Sequence, residues 1–112
     1  MTGQRMAMII KVKPDKLAEY KRLHAEPWAA MNDALTAAHI GNYSIYLREP
    51  ENLLFGYWEY FGTDFAADMR VLGERDVTKR WLALTDPCCQ QPLDSARPGE
   101  WWSYLPEVFH LD

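Results

Sequence analysis

The chain has few of the features that mark large classes of protein chemistry. Only two of its 112 residues are cysteines, Cys88 and Cys89, and they are adjacent. A bridge between neighbours is strained, and no second pair completes a zinc site, so two free thiols in a reducing cytoplasm are expected. The three histidines, His24, His39 and His110, lack metal-ligand spacing, and no HExxH occurs. There is no glycine-rich phosphate loop, no GxSxG elbow and no dinucleotide fingerprint. No basic block interrupts a net charge of −4, which argues against nucleic acid as a partner. The longest apolar run near the start, Met6 to Ile10, is too short for a membrane span or a signal-peptide core. No repeat or low-complexity tract appears. No metal, nucleic acid or membrane partner is therefore expected.

What the chain does have is aromatic surface. Five Trp and six Tyr bring the aromatic fraction to 13%, and such rings suit either a core or a pocket. The length fits one domain spanning residues 1–112, with a core modest enough that oligomerisation would help cover it.

Met6 to Lys13 alternates as a strand. Pro14-Asp15 then opens a helix, since proline is tolerated in a first turn and Asp suits the positive helix end. Apolar steps at Leu17, Tyr20, His24, Trp28, Met31 and Leu35 share one helical face, with an interruption expected near Glu26 because of Pro27. Gly41 is the expected stop. Tyr43–Arg48 and Leu53–Tyr60 read as strands joined at Glu49-Pro50-Glu51-Asn52. Thr63 or Asp64 is the cap of a further helix, which Gly73 interrupts and which ends by Pro87. Pro87 to Gly99 reads as a loop, and Trp101 to Leu111 as the last strand, most regular over Glu107–Leu111.

The order βαββαβ is the ferredoxin-like arrangement of an α+β protein, with helices on one face of an antiparallel sheet. The other face carries either Ser44/Tyr46 or Tyr43/Ile45 on one strand, and either Phe55/Tyr57 or Leu54/Trp58 on the next. A monomer would expose those aromatics, and pairing two sheets in a dimeric α+β barrel would bury them.

Three segments bear on chemistry. Tyr20 and His24, four apart, stack on a helix. An imidazole exchanges protons near neutral pH, a phenol donates hydrogen bonds, and the face of Trp28 suits a sugar's C–H side. On spacing alone the better reading is that Tyr20 and Trp28 are core residues and His24 a satisfied buried histidine. Gly41–Leu47 reads as a strand with aromatic packing, which periodicity alone does not reject, and Lys79-Arg80-Trp81-Leu82 is better read from pattern alone as an amphipathic helix with one core Trp. Trp101-Trp102 reads as packing.

Taken in order, these segments resemble the L-rhamnose mutarotase family. The resemblance is carried by Glu19–His24 with Trp28, by Asn42–Leu47 followed by Asn52–Phe55, by Lys79-Arg80-Trp81, and by Glu107–Leu111. It runs from about Met6 to Leu111. It implies a homodimeric α+β barrel paired through its sheets, with no cofactor. His24 would be the catalytic proton donor, and Tyr20, Tyr43 and Trp81 would contact the sugar. The implied activity is interconversion of the α and β anomers of a 6-deoxyhexose such as L-rhamnose, or the related L-fucose, by acid–base opening and closure of the ring. The chain departs from the family pattern at Leu82, where a second Trp is usual, at Ala29, where a Pro is usual, and across Pro87 to Trp102. The alternatives are another cofactor-free enzyme of this fold, a monooxygenase or isomerase, or a non-catalytic sugar-binding domain.

Overall fold

The computed structural model describes residues 3–112. Strand β1 (Gln4–Val12) leads through a 3-10 turn (Pro14–Lys16) into helix α1 (Leu17–Ala25). Helix α2 (Ala29–Ala37), the strands β2 (Ile40–Arg48) and β3 (Leu53–Tyr60), and the helices α3 (Phe65–Glu74) and α4 (Asp76–Cys89) follow. Two short strands, β4 (Gln90–Gln91) and β5 (Ser103–Leu105), complete the chain order. The sheet is antiparallel in the order β2-β3-β1-β4, and β5 also pairs with β1. This is the ferredoxin-like α+β topology, with its last strand delivered in two pieces.

Alternation decides which side chains the helices cover. Met8, Ile10 and Val12 of β1 are buried, as are Leu54, Trp58 and Tyr60 of β3. Each such side chain contributes about 1.5–3 kcal/mol when fully removed from water. In β2 the alternation shifts. Ile40 lies opposite Tyr60 and Gly41 opposite Glu59, yet Ser44 lies opposite Tyr57. One extra residue sits in β2, with Asn42 at φ 49 and its amide donating to Glu59 Oε2 at 3.2 Å. Beyond this bulge the inward positions are odd-numbered: Ile45 faces Gly56 and Leu47 faces Leu54. The helix-side face therefore takes Tyr43/Ile45 with Leu54/Trp58, and the outer face takes Ser44/Tyr46 with Phe55/Tyr57.

Several boundaries differ from the sequence expectation, each for a local reason. The first helix does break at Pro27, but the stop after α2 is His39 at φ 67 rather than Gly41, which lies inside β2. His39 closes that turn by donating its N–H to the Thr36 carbonyl. Asp64 is the cap of α3, accepting from Ala67 N at 3.1 Å. Gly73 stays helical, and the break falls at Arg75, whose backbone is extended. Helix α4 runs past Pro87. Proline there removes the N–H due to the Ala83 carbonyl, and the Cys88 thiol takes that carbonyl instead at 3.5 Å. Lys13 closes the helix end: its Nζ donates to the Pro87 carbonyl at 2.6 Å, and its backbone N–H to the Cys89 carbonyl at 2.7 Å.

The largest correction concerns the C-terminus. Of the expected last strand, only Ser103–Leu105 pairs with β1, and Glu107–Leu111 forms no strand. This tail is tethered by Glu107 to Arg5 at 2.9 Å. Val108, Phe109 and Leu111 are 93%, 78% and 80% exposed.

Candidate active site

Between the sheet and the helices lies an open chamber of about 250 Å³, continuous in its lining with a second recess of about 310 Å³ toward Pro27 and Trp28. The two volumes lie on either side of the lower bound for small-ligand sites, about 300 Å³. His24, Tyr43, Trp81, Met31, Leu35 and Ile45 line both. Tyr20 lines the first. The four site residues expected from sequence thus meet in one place, from α1, β2 and α4.

Each is placed by a local feature. Tyr20 and His24 are one helical turn apart in α1, and their rings stack with centroids 4.1 Å apart. Trp81 of α4 meets the His24 ring edge-on at 5.3 Å and that of Trp28 at 5.2 Å. Tyr43 points inward because of the Asn42 bulge and meets Trp58 edge-on at 5.1 Å. Aromatic faces and edges thus surround a single imidazole.

That imidazole has a defined orientation. His24 Nδ1 is 2.9 Å from the Tyr20 carbonyl oxygen. A carbonyl only accepts, so Nδ1 carries a proton in this contact. Nε2 is left as the nitrogen that gains or loses a proton toward the chamber. Burial lowers the His24 pKa, and the hydrogen bond to the Tyr20 carbonyl partly opposes that shift.

The phenols are held protonated. Burial raises the Tyr20 pKa well above the ordinary tyrosine value, with the nearby Tyr43 adding to it. Tyr43 keeps 37% of its surface open, yet burial around its hydroxyl pushes it up to about 12. Both phenols are therefore hydrogen-bond donors at neutral pH. The Tyr20 hydroxyl accepts a long hydrogen bond from Gln90 Nε2 at 3.4 Å.

Two lining residues have roles that the sequence reading did not assign. Trp102 enters the chamber wall over Gly56, where a Cβ would lie 3.2 Å from its ring and 3.0 Å from Met8. Its Trp-Trp pattern was visible, but nothing in the sequence located the glycine opposite it. Gln90 lies in a two-residue strand with no recognisable signal. Leu82 lines the chamber beside Trp81. Among the described residues, no group of three or more His, Cys, Asp or Glu is placed to hold a metal ion, and no helix is long and apolar enough to cross a membrane.

A fold of this kind, with an aromatic-walled chamber and one oriented imidazole, defines a class of small α+β enzyme suited to proton exchange on a neutral polar ring. Similarity to known proteins narrows the class. A family model described as L-rhamnose mutarotase matches residues 5–111. The chain is 32% identical to the L-rhamnose mutarotase of Oceanobacillus iheyensis over 97% of this chain and 99% of that one. It is 35% identical to that of Listeria monocytogenes, covering 96% and 98%. A solved L-rhamnose mutarotase structure from Formosa agariphila superposes with a TM-score of 0.74 at 22% identity, covering 97% and 99% of the two chains, and so shares the fold. The chain belongs to the L-rhamnose mutarotase family.

Proposed function

We propose that this protein is a mutarotase that interconverts the α and β anomers of L-rhamnose or a closely related 6-deoxyhexose such as L-fucose. The observation that carries this reading is the His24 geometry. Its Nδ1 is fixed on the Tyr20 carbonyl, and its Nε2 is left for a ring held between Tyr20, Tyr43 and Trp81.

His24 protonates the ring oxygen as the bond from that oxygen to the anomeric carbon breaks. The anomeric hydroxyl gives up its proton, and the sugar opens to the aldehyde. Rotation about the neighbouring C–C bond presents the other face, and closure reverses the proton transfers. Trp81 offers its ring to the C–H side of the sugar, and the Tyr20 and Tyr43 phenols donate to its hydroxyls. A Leu at position 82 leaves that part of the wall without a second indole, so the tolerance for sugars other than L-rhamnose belongs to this position.

We assign the working form as a homodimer paired through its outer sheet face. Tyr46 is 64% exposed there, and the apolar tail beyond Glu107 lies uncovered on the same protomer.

The test is saturation-transfer NMR on L-rhamnose, L-fucose and common D-aldoses. The protein is expected to accelerate α/β exchange most strongly for the 6-deoxyhexoses. Shifted aromatic resonances with no faster exchange on any sugar would make it a binding domain instead.

A further inference from the structure

Among the described residues, three buried polar side chains line the chamber: Thr78, Thr85 and Gln90. Gln90 is the largest of them, and a buried amide is costly unless it is bonded. Its direction is set by the sheet. Gln90 lies opposite Val12, and Gln91 opposite Lys11. Residues paired across antiparallel strands share a face. Gln90 therefore joins the buried Val12 on the helix side, while Gln91 turns outward and is exposed. The backbone holds it there. Its N–H donates to the Thr85 and Asp86 carbonyls at the end of α4, and the preceding Cys89 carbonyl accepts from Lys13 N at 2.7 Å. The buried cluster at this end is apolar, built from Ile10, Val12, Leu23, Leu54 and Cys89 around Tyr20. An apolar side chain would fill the Gln90 position at less cost. What the amide adds is a donor: Nε2 reaches the hydroxyl of Tyr20, a residue as deeply buried as Gln90 itself.

Resting on the mutarotase reading, we propose that Gln90 is a positioning residue: it fixes which way the Tyr20 hydroxyl faces, so that Tyr20 meets the sugar as a donor. A phenol has one proton and two lone pairs. An amide nitrogen only donates, so Gln90 Nε2 occupies a lone pair of the Tyr20 oxygen and turns the O–H away from itself, toward the chamber that both residues line. At 3.4 Å the bond is long, so it sets direction more than it adds strength. Burial raises the Tyr20 pKa and this bond opposes it, as a donor to the phenol oxygen does. Tyr20 is thereby tied down along its length. Its carbonyl takes His24 Nδ1, its ring stacks on the imidazole, and its hydroxyl oxygen takes Gln90 Nε2. The amide beyond α4 aligns the group that holds the sugar, while the Tyr20 backbone aligns the acid.

A positioning residue and a core filler respond differently to substitution. Methionine keeps the unbranched, flexible form of the side chain and removes the amide. If Gln90 only packs, Gln90→Met lowers the melting temperature, and any kinetic effect adds to that of Tyr20→Phe. If Gln90 orients the phenol, its effect lies in KM and vanishes once the phenol oxygen is gone.

The experiment measures the concentration dependence of exchange on L-rhamnose by saturation-transfer NMR for the wild type, Gln90→Met, Tyr20→Phe and the double variant, beside thermal melts. Gln90→Met is expected to raise KM by roughly threefold to tenfold, the net worth of one hydrogen bond, with kcat little changed. In the Tyr20→Phe background it should leave KM where it is. Side-chain amide NMR adds a check that needs no substitution at Gln90: its Nε2 protons should shift on Tyr20→Phe, and on addition of L-rhamnose to the wild type. A folded Gln90→Met protein with the wild-type KM overturns the proposal, as do additive KM effects in the double variant. Gln90 amide protons indifferent to Tyr20→Phe overturn it even where Gln90→Met does not fold. A wild type without exchange above the spontaneous rate on any sugar overturns the mutarotase reading, and this assignment with it.

Discussion

At His24 two environmental effects oppose each other, and the outcome sets the pH behaviour of the site. Burial disfavours the imidazolium and wins over the Tyr20 carbonyl, which favours it. If the imidazolium is the donor, its contribution is full below the depressed pKa and is lost as pH rises through it. His24→Gln should therefore slow exchange by roughly 10²-fold or more and remove the alkaline limb, because an amide hydrogen-bonds but does not titrate. Tyr20→Phe should act mainly on KM, since its phenol orients the sugar. Single-turnover or line-shape NMR on folded variants separates the two, and a folded His24→Gln protein with a normal rate would refute the donor role. The sequence shows Tyr20 and His24 as neighbours because helical spacing is local. It does not show that Trp81 and Tyr43 join them, since those contacts span the chain and depend on packing. Gln90 is illegible for the same reason: its significance comes only from the Tyr20 hydroxyl that lies opposite.

The elements themselves were mostly readable, and the misreadings follow from single side chains that replaced the expected one. His39 adopts the left-handed turn expected of Gly41. The thiol of Cys88 substitutes for the N–H that Pro87 lacks, so α4 continues where a proline would ordinarily end it. The cap of α3 was legible because Asp at that position has a specific local job. Asp64 accepts from Ala67 N, while its own N–H donates to the Tyr60 hydroxyl at 3.0 Å, and that hydroxyl donates in turn to Asp68. Asp64→Ala should cost about 1 kcal/mol, read as a lower denaturation midpoint with exchange kinetics unchanged. A midpoint equal to wild type would show that the cap contributes nothing.

For the whole molecule, the unresolved question of periodicity was which sheet face is solvent-side, and the bulge in β2 answers it. Tyr46, Phe55 and Tyr57 share the outer face, and the tail that reads as a strand in sequence finds no partner strand within its own protomer. The pattern in Glu107–Leu111 is therefore one that a single copy leaves unused. Light scattering at micromolar concentration is expected to give twice the chain mass, in keeping with the prevalence of two-fold homodimers. Truncation before Glu107 should shift the population toward monomer. A full-length chain that scatters as a monomer would contradict the assembly.

The extra residue in β2 also makes the site a matter of counting. Upstream of Asn42 the chain is locked by Ile40 against Tyr60, and downstream by Leu47 against Leu54. With Asn42 in place, a strand of unbroken alternation that held Ile40 in the core would turn Tyr43 and Ile45 out to the solvent side and bring Ser44 and Tyr46 in. Removing Asn42 would instead close the irregularity, and both anchors would fit one regular strand with Tyr43 and Ile45 still inward. The left-handed backbone at Asn42 is therefore what lets this chain carry one residue more than the strand needs and still keep its site.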